Sequence, residues 1–68
     1  MRSWLKEVRI ARNMSAEQVA EKLDISVGGY CMIERGERQK NTMYIKTAVK
    51  LSEVLSVPME DIVQWEMQ

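Results

Sequence analysis

Cationic side chains are the most concentrated chemical groups in this 68-residue chain, and phosphate is the partner that suits them best. Residues 35–50 hold one carboxylate, Glu37, against five cations, a net charge of +4: Arg35, Arg38, Lys40, Lys46 and Lys50. Guanidinium and ammonium groups bind phosphate oxygens through charge-assisted hydrogen bonds. We therefore expect a phosphate-binding surface here; the alternative is an ordinary solvated basic loop, and Lys46 and Lys50 fit plain helix surface.

Charge alternates along the chain in four blocks, although the net charge is zero. Residues 1–14 carry +3, residues 15–34 carry −3, residues 35–50 carry +4 and residues 51–68 carry −4. Such blocks can fold into one basic face and one acidic face, and a polyanion responds to the local field of the face that it meets. Zero net charge is therefore compatible with a nucleic-acid partner.

Residues suited to other kinds of chemistry are scarce. The chain has no histidine, and Cys31 is its only cysteine, so an internal disulfide, the commonest general base and the commonest metal ligand are all excluded. We expect no catalytic residue, cofactor, metal or small-molecule substrate. The longest uncharged run, Ile25–Ile33, is too short for a membrane span, and a cytoplasmic protein without a secretory signal is predicted.

Two short helices with a tight turn between them precede the basic stretch. Ser15 and Gln18 have the spacing of a capping box, which predicts a helix start at Ser15. Asp24 tolerates positive φ and ends this helix, and Ser26 is placed to cap the next one, which covers about residues 26–35 and stops at Gly36. A helix, a tight turn and a second short helix form a helix-turn-helix unit.

Three further helices complete an all-α, five-helix bundle, a single domain over residues 1–68. The first runs from about Ser3, as N-cap, to Arg12, with Asn13 as a left-handed stop. The fifth starts at Pro58. The fourth covers about residues 43–55 and carries on one face Tyr44, Ala48, Leu51, Ser52 and Leu55.

Residues 15–36, SAEQVAEKLDISVGGYCMIERG, resemble the helix-turn-helix of phage repressors and Cro proteins, the xenobiotic-response-element-like transcriptional regulators. The likeness extends upstream through LKEVRIARNM and downstream through KLSEVLSVPMEDIV, and so covers nearly the whole chain. It implies a compact lambda-repressor-like DNA-binding domain that binds double-stranded DNA, usually as a homodimer.

The resemblance also assigns roles to particular residues. Ala20 takes the place of the small residue at which the two helices of the motif cross, and Arg9 and Glu34 match a buried ion pair. The family's core positions fall on Val19, Leu23, Ile25, Tyr30 and Ile33. DNA contacts fall on Ser15, Ala16, Ser26, Val27, Gly28, Gly29, Met32, Arg35, Arg38, Lys40 and Asn41.

The chain departs from the family at the start of the third helix. Val27, Gly28 and Gly29 stand where relatives carry polar side chains that read base edges, and Ala16 stands where glutamine is usual. Two interpretations remain open. The chain is a sequence-preferring DNA-binding regulator, or it is a protein-interaction module that keeps the fold and has lost the DNA face.

Apolar residues near the end of the chain also have two interpretations: Ile62, Val63, Trp65 and Met67. A 68-residue domain buries only some of them, which favours a homodimer contact. Packing of Trp65 back onto the core is the alternative.

Overall fold

A computed structural model describes residues 1–40 and 42–68. These residues form five helices and no strand: α1 Ser3–Ala11, α2 Ala16–Leu23, α3 Val27–Glu34, α4 Ile45–Leu55 and α5 Met59–Glu66. The predicted all-α helix-turn-helix fold is confirmed. None of the described helices has the length and apolarity required to traverse a bilayer.

The predicted ends of α2 and α3 follow from local backbone chemistry. The Ser15 hydroxyl accepts the Gln18 N–H at 3.1 Å, and the Gln18 side-chain oxygen accepts the Ser15 N–H at 2.8 Å, which completes the capping box. Asp24 ends α2 at φ 60°, and the Ser26 hydroxyl accepts the Gly29 N–H at 3.0 Å. Beyond α3, Gly36 has φ 78°, and a Cβ there would lie 3.2 Å from the Met1 nitrogen.

The starts of α1 and α4 differ from the prediction. Ser3 is the first helical residue and not the N-cap; that position belongs to Arg2, which makes no side-chain cap. The fourth helix begins at Ile45 rather than near Met43: Tyr44 before it has an extended backbone, and its N–H is accepted by the Gln39 side-chain oxygen at 2.6 Å. A contact with a residue five positions upstream leaves no signal in the residues next to the helix.

The core lies between all five helices. Its largest fully buried side chains are Tyr30, Leu5, Leu51, Leu55, Ile62 and Val19. Two predicted members are wrong: Ile25 is 40% exposed because it lies in the turn between α2 and α3, and Tyr44 is 65% exposed because it precedes the first turn of α4. Trp65 is half-buried and stacks on Trp4 with ring centroids 5.2 Å apart.

Candidate nucleic-acid interface

The α2–turn–α3 unit is closely packed and holds α3 at the surface. Ala20 is 2% exposed at the contact between the two helices, and its carbonyl accepts the Ile25 N–H at 3.0 Å across the turn. Tyr30 and Ile33 anchor the inner face of α3 in the core. This leaves the opposite face of α3 free to meet a ligand.

The outer face of α3 forms a ridge, here called the α3 ridge, made of Val27, Gly28, Cys31, Met32 and Arg35. Val27 is 44% exposed, and a Cβ at Gly28 would have no neighbour within 4 Å. Cys31 and Met32 are half-buried, and Arg35 is exposed. Helical spacing between Gly28 and Arg35 places Cys31 on the ridge.

Gly29 departs from its predicted place on this ridge. It is buried, and a Cβ at this position would lie 3.1 Å from the Ser26 hydroxyl and 3.5 Å from Arg38 Nη1. The guanidinium of Arg38 therefore lies within ordinary contact distance of this flank of α3, and the tighter contact of a side chain at position 29 would be with the Ser26 hydroxyl.

Arg38 begins a basic edge along one side of the α3 ridge. With Lys46 and Lys50 of α4 it borders a cavity of about 500 Å³ whose apolar floor includes Leu23 and Ile33. Within the described residues these three cations make no ion pair, and no carboxylate lines the cavity. Sequence reasoning assigned Lys46 and Lys50 to ordinary helix surface; the fold brings them beside Arg38.

The remaining predicted cations lie near this edge but are not equivalent to Arg38. Arg35 pairs with Glu37 at 3.2 Å, and because both side chains are exposed the pair is weak. Lys40 is exposed and lines a separate hollow with Gly36 and Trp65. Asn41 lies outside the described residues.

Carboxylates border the start of the ridge. The groove between α2 and the start of α3 is bordered by Glu17, Glu21 and Asp24, all exposed. This acidic groove includes Val27, the first ridge residue, whereas the cavity at the basic edge includes Ile33 near the end of α3. A phosphate backbone is attracted to the basic edge and repelled by the acidic groove.

The two predicted serines serve as caps and keep a donor available. The hydroxyls of Ser15 and Ser26 each accept a backbone N–H, and both residues are exposed. A hydroxyl that accepts one bond still has its own proton to donate. Ala16 is half-buried beside Ser15 and offers only a methyl group and its backbone N–H.

An ion pair ties the end of α3 to α1. Arg9 Nη2 lies 3.1 Å from Glu34 Oε1, and Arg9 Nε lies 3.2 Å from Glu34 Oε2, with 14% and 10% of the two side chains exposed. The hydrogen bonds that Arg9 donates to the Glu34 carboxylate raise the pKa of Arg9. Burial, assisted by Glu34, raises the pKa of Tyr30, whose buried hydroxyl has no hydrogen-bond partner among the described residues.

Comparison with known families matches this architecture. A family model described as helix-turn-helix, of the Cro and phage-repressor type, matches residues 5–62, which include most of α1, the α2–turn–α3 unit, the basic edge and the first half of α5. Comparison with curated proteins and with solved structures gives no match. Members of this family are DNA-binding regulatory domains and are not typically enzymes. The chain belongs to the Cro and phage-repressor type of the helix-turn-helix family.

Proposed function

We propose that this protein is a sequence-preferring transcriptional regulator that binds double-stranded DNA with α3 in the major groove. The observation that carries the proposal is the exposed α3 ridge beside Arg38, Lys46 and Lys50, three cations without carboxylate partners among the described residues. The major groove of B-DNA admits an α-helix. A DNA ligand implies a cytoplasmic, nucleoid-associated protein.

The basic edge supplies affinity that does not depend on sequence. Arg38, Lys46 and Lys50 contact one phosphate backbone, with Lys40 close by, and release its counterions, so binding weakens steeply with salt. The hydroxyls of Ser15 and Ser26 donate to phosphate oxygens and fix the register of α3. The carboxylates of the acidic groove repel phosphate and limit the non-specific affinity.

Base recognition depends on apolar contact and on DNA shape. Val27 and Met32 offer methyl groups that suit the C5-methyl of thymine, and Gly28 lets the helix backbone approach the base edges closely. Arg35 is the ridge residue with the donors for a bidentate bond to guanine. With few hydrogen-bonding side chains, a substantial part of the specificity comes from sequence-dependent groove shape and deformability.

A homodimer follows from the apolar surface of α4 and α5. Ile45 is 79% exposed, Val63 48% and Met67 81%, and all three help to line a cleft of about 230 Å³ between the helices. Contiguous exposed apolar surface marks an interface, and a two-fold dimer places two α3 ridges on half-sites about one helical turn apart. Sedimentation equilibrium of Val63→Lys against the wild type tests this surface; equal masses at all concentrations would contradict it.

Selection of bound duplexes from a random pool tests the main proposal. We expect enrichment of a palindromic motif with thymines opposite Val27 and Met32. Fluorescence anisotropy with the selected duplex and with a scrambled one then gives the specificity ratio. An unenriched pool together with salt-sensitive binding would reduce the function to non-specific DNA binding.

A protein-interaction module is the second candidate, and it is favoured by the acidic groove of Glu17, Glu21 and Asp24 next to a ridge with few hydrogen-bonding side chains. A cationic partner suits that groove. Titration of random duplex at low salt separates the two candidates: micromolar, salt-sensitive binding supports the regulator, and no binding supports the module.

A further inference from the structure

Arg2 makes an unusual set of contacts for a cation near the start of a chain. It is 7% exposed, its backbone N–H donates to the Glu34 carbonyl at 3.0 Å, and its side chain reaches three further backbone carbonyls. Nη1 donates to Ile33 at 2.8 Å and to Arg38 at 3.1 Å, and Nη2 donates to Gln39. All three carbonyls lie at the end of α3 or in the loop that carries Arg38.

A carboxylate from the far end of the chain holds this guanidinium in place. Arg2 Nε lies 3.0 Å from Glu66 Oε1 and 2.9 Å from Oε2, and Trp4 Nε1 donates to Oε2 at 2.8 Å. Glu66 is the last residue of α5, where a negative charge is disfavoured by the helix dipole. Pairing with Arg2 compensates for that cost, and the stacked rings of Trp4 and Trp65 cover the site.

The same contacts position both parts of the basic edge: Arg38 on the loop, and Lys46 and Lys50 on α4. Gln39 has φ 51°, a left-handed conformation that costs a non-glycine residue energy unless its surroundings hold it. While its carbonyl is bound by Arg2, its side chain accepts the Tyr44 N–H and donates to the Thr47 hydroxyl at 3.0 Å. One network therefore sets Arg38 on the loop and the first turn of α4.

We propose that Arg2 is a positioning residue for DNA binding: clamped by Glu66, it holds the loop so that Arg38 lies over Gly29 in line with Lys46 and Lys50. This role rests on the proposed function. It gives the C-terminal end of α5 an influence on the DNA-contact loop, through the contacts of Glu66 with Arg2 and of Arg2 with the Arg38 and Gln39 carbonyls.

The first test measures the loop without DNA. Amide hydrogen exchange is compared for the wild type, for Arg2→Met and for Arg12→Met, a matched control because the Arg12 guanidinium also binds backbone carbonyls, those of Leu55 and Ser56. In Arg2→Met we expect about tenfold faster exchange at Arg38 and Tyr44 but not at Val19. An equal increase at all amides, or none at the loop, would overturn the proposal.

The second test measures DNA binding in a double-mutant cycle. Arg2→Met should lower affinity for random duplex about fivefold when Arg38 is present and hardly at all in the Arg38→Ala background. Arg2→Lys keeps the charge but not the forked donors, so it should not restore affinity. Equal losses in both backgrounds, or full rescue by lysine, would contradict a positioning role.

Three further outcomes can be distinguished. If Arg2→Met does not fold, Glu66→Gln replaces it in the exchange experiment. This variant weakens the ion pair with Arg2 but keeps the arginine, and the same pattern of faster loop exchange is expected. If the wild type binds no duplex at any salt concentration, the proposed function fails and the positioning role fails with it. Binding that is intact in the wild type and insensitive to both substitutions refutes the positioning role alone.

Discussion

Replacing Arg38 and Lys40 together by alanine removes two exposed cations from the loop that follows α3. If each contacts one phosphate, the slope of log affinity against log salt becomes shallower by about 0.9 per contact, or about 1.8 in total. Over a fourfold rise in salt, from about 50 to about 200 mM, the wild type should lose about 12-fold more affinity than the variant. Fluorescence anisotropy with a labelled random duplex measures both slopes.

The matched control removes the same amount of charge elsewhere. Lys6 on α1 and Lys22 at the end of α2 are exposed, and neither lines the cavity at the basic edge. The Lys6→Ala, Lys22→Ala double variant should lower affinity slightly through the overall field while keeping the wild-type slope. If the two double variants give the same slope, the loop cations do not contact phosphate, and the assignment of the basic edge is wrong.

Three predictions concern stability, measured by urea unfolding. Gly28→Ala should stabilise α3 by about 0.5 kcal/mol. Gly29→Ala should stabilise it less and should weaken DNA binding, because its Cβ would lie 3.1 Å from the Ser26 hydroxyl and beside Arg38. Equal stabilisation by the two substitutions would contradict this difference. Glu34→Gln should cost about 3 kcal/mol, and a loss under about 1 kcal/mol would show that the pair acts like a surface pair. Tyr30→Phe removes a buried hydroxyl that has no hydrogen-bond partner among the described residues and should stabilise the fold by about 1 kcal/mol, whereas Tyr44→Phe, at an exposed side chain, should change nothing.

The pH dependence of Tyr30 follows from its raised pKa. In the unfolded chain a tyrosine ionises near pH 10, whereas the folded protein keeps the Tyr30 hydroxyl protonated to higher pH. The unfolded state therefore releases a proton first, and wild-type stability falls as the pH rises above about 10. Tyr30→Phe should remove that part of the loss and Tyr44→Phe should not; a decline that is the same in all three proteins would refute this cause.

Features set by neighbouring residues were predictable from the sequence. The capping box at Ser15, the left-handed residues Asn13 and Asp24, and the turn at Gly36 each depend on the chemistry of one to four adjacent residues. Such interactions form in any fold that contains the segment, so a sequence pattern is enough to indicate them. They place the ends of α2 and α3, and with them the α3 ridge.

Features set by residues far apart in the chain were not predictable in the same way. Arg2 and Glu66 are 64 positions apart, and Gly29 meets Arg38 only because the loop folds back along α3. Ile25 has the sequence character of a core residue, yet it lies in the turn and is 40% exposed. In each case tertiary geometry determines the role, and residue type leaves several roles open.

The two adjacent glycines lower the intrinsic stability of α3 and also shape its exposed face. As residues of a short helix, both lower its intrinsic stability, which on sequence grounds argues against a functional α3. In the fold they differ: a Cβ at Gly28 would have no neighbour within 4 Å, whereas one at Gly29 would lie 3.1 Å from the Ser26 hydroxyl and in ordinary contact with Arg38. For a helix that reads bases through close approach, a small residue at position 28 is an advantage. The loss of polar side chains at 28 and 29 is therefore consistent with a change in the mode of recognition, from hydrogen bonds toward contact and shape, which duplex selection distinguishes from a lost DNA face.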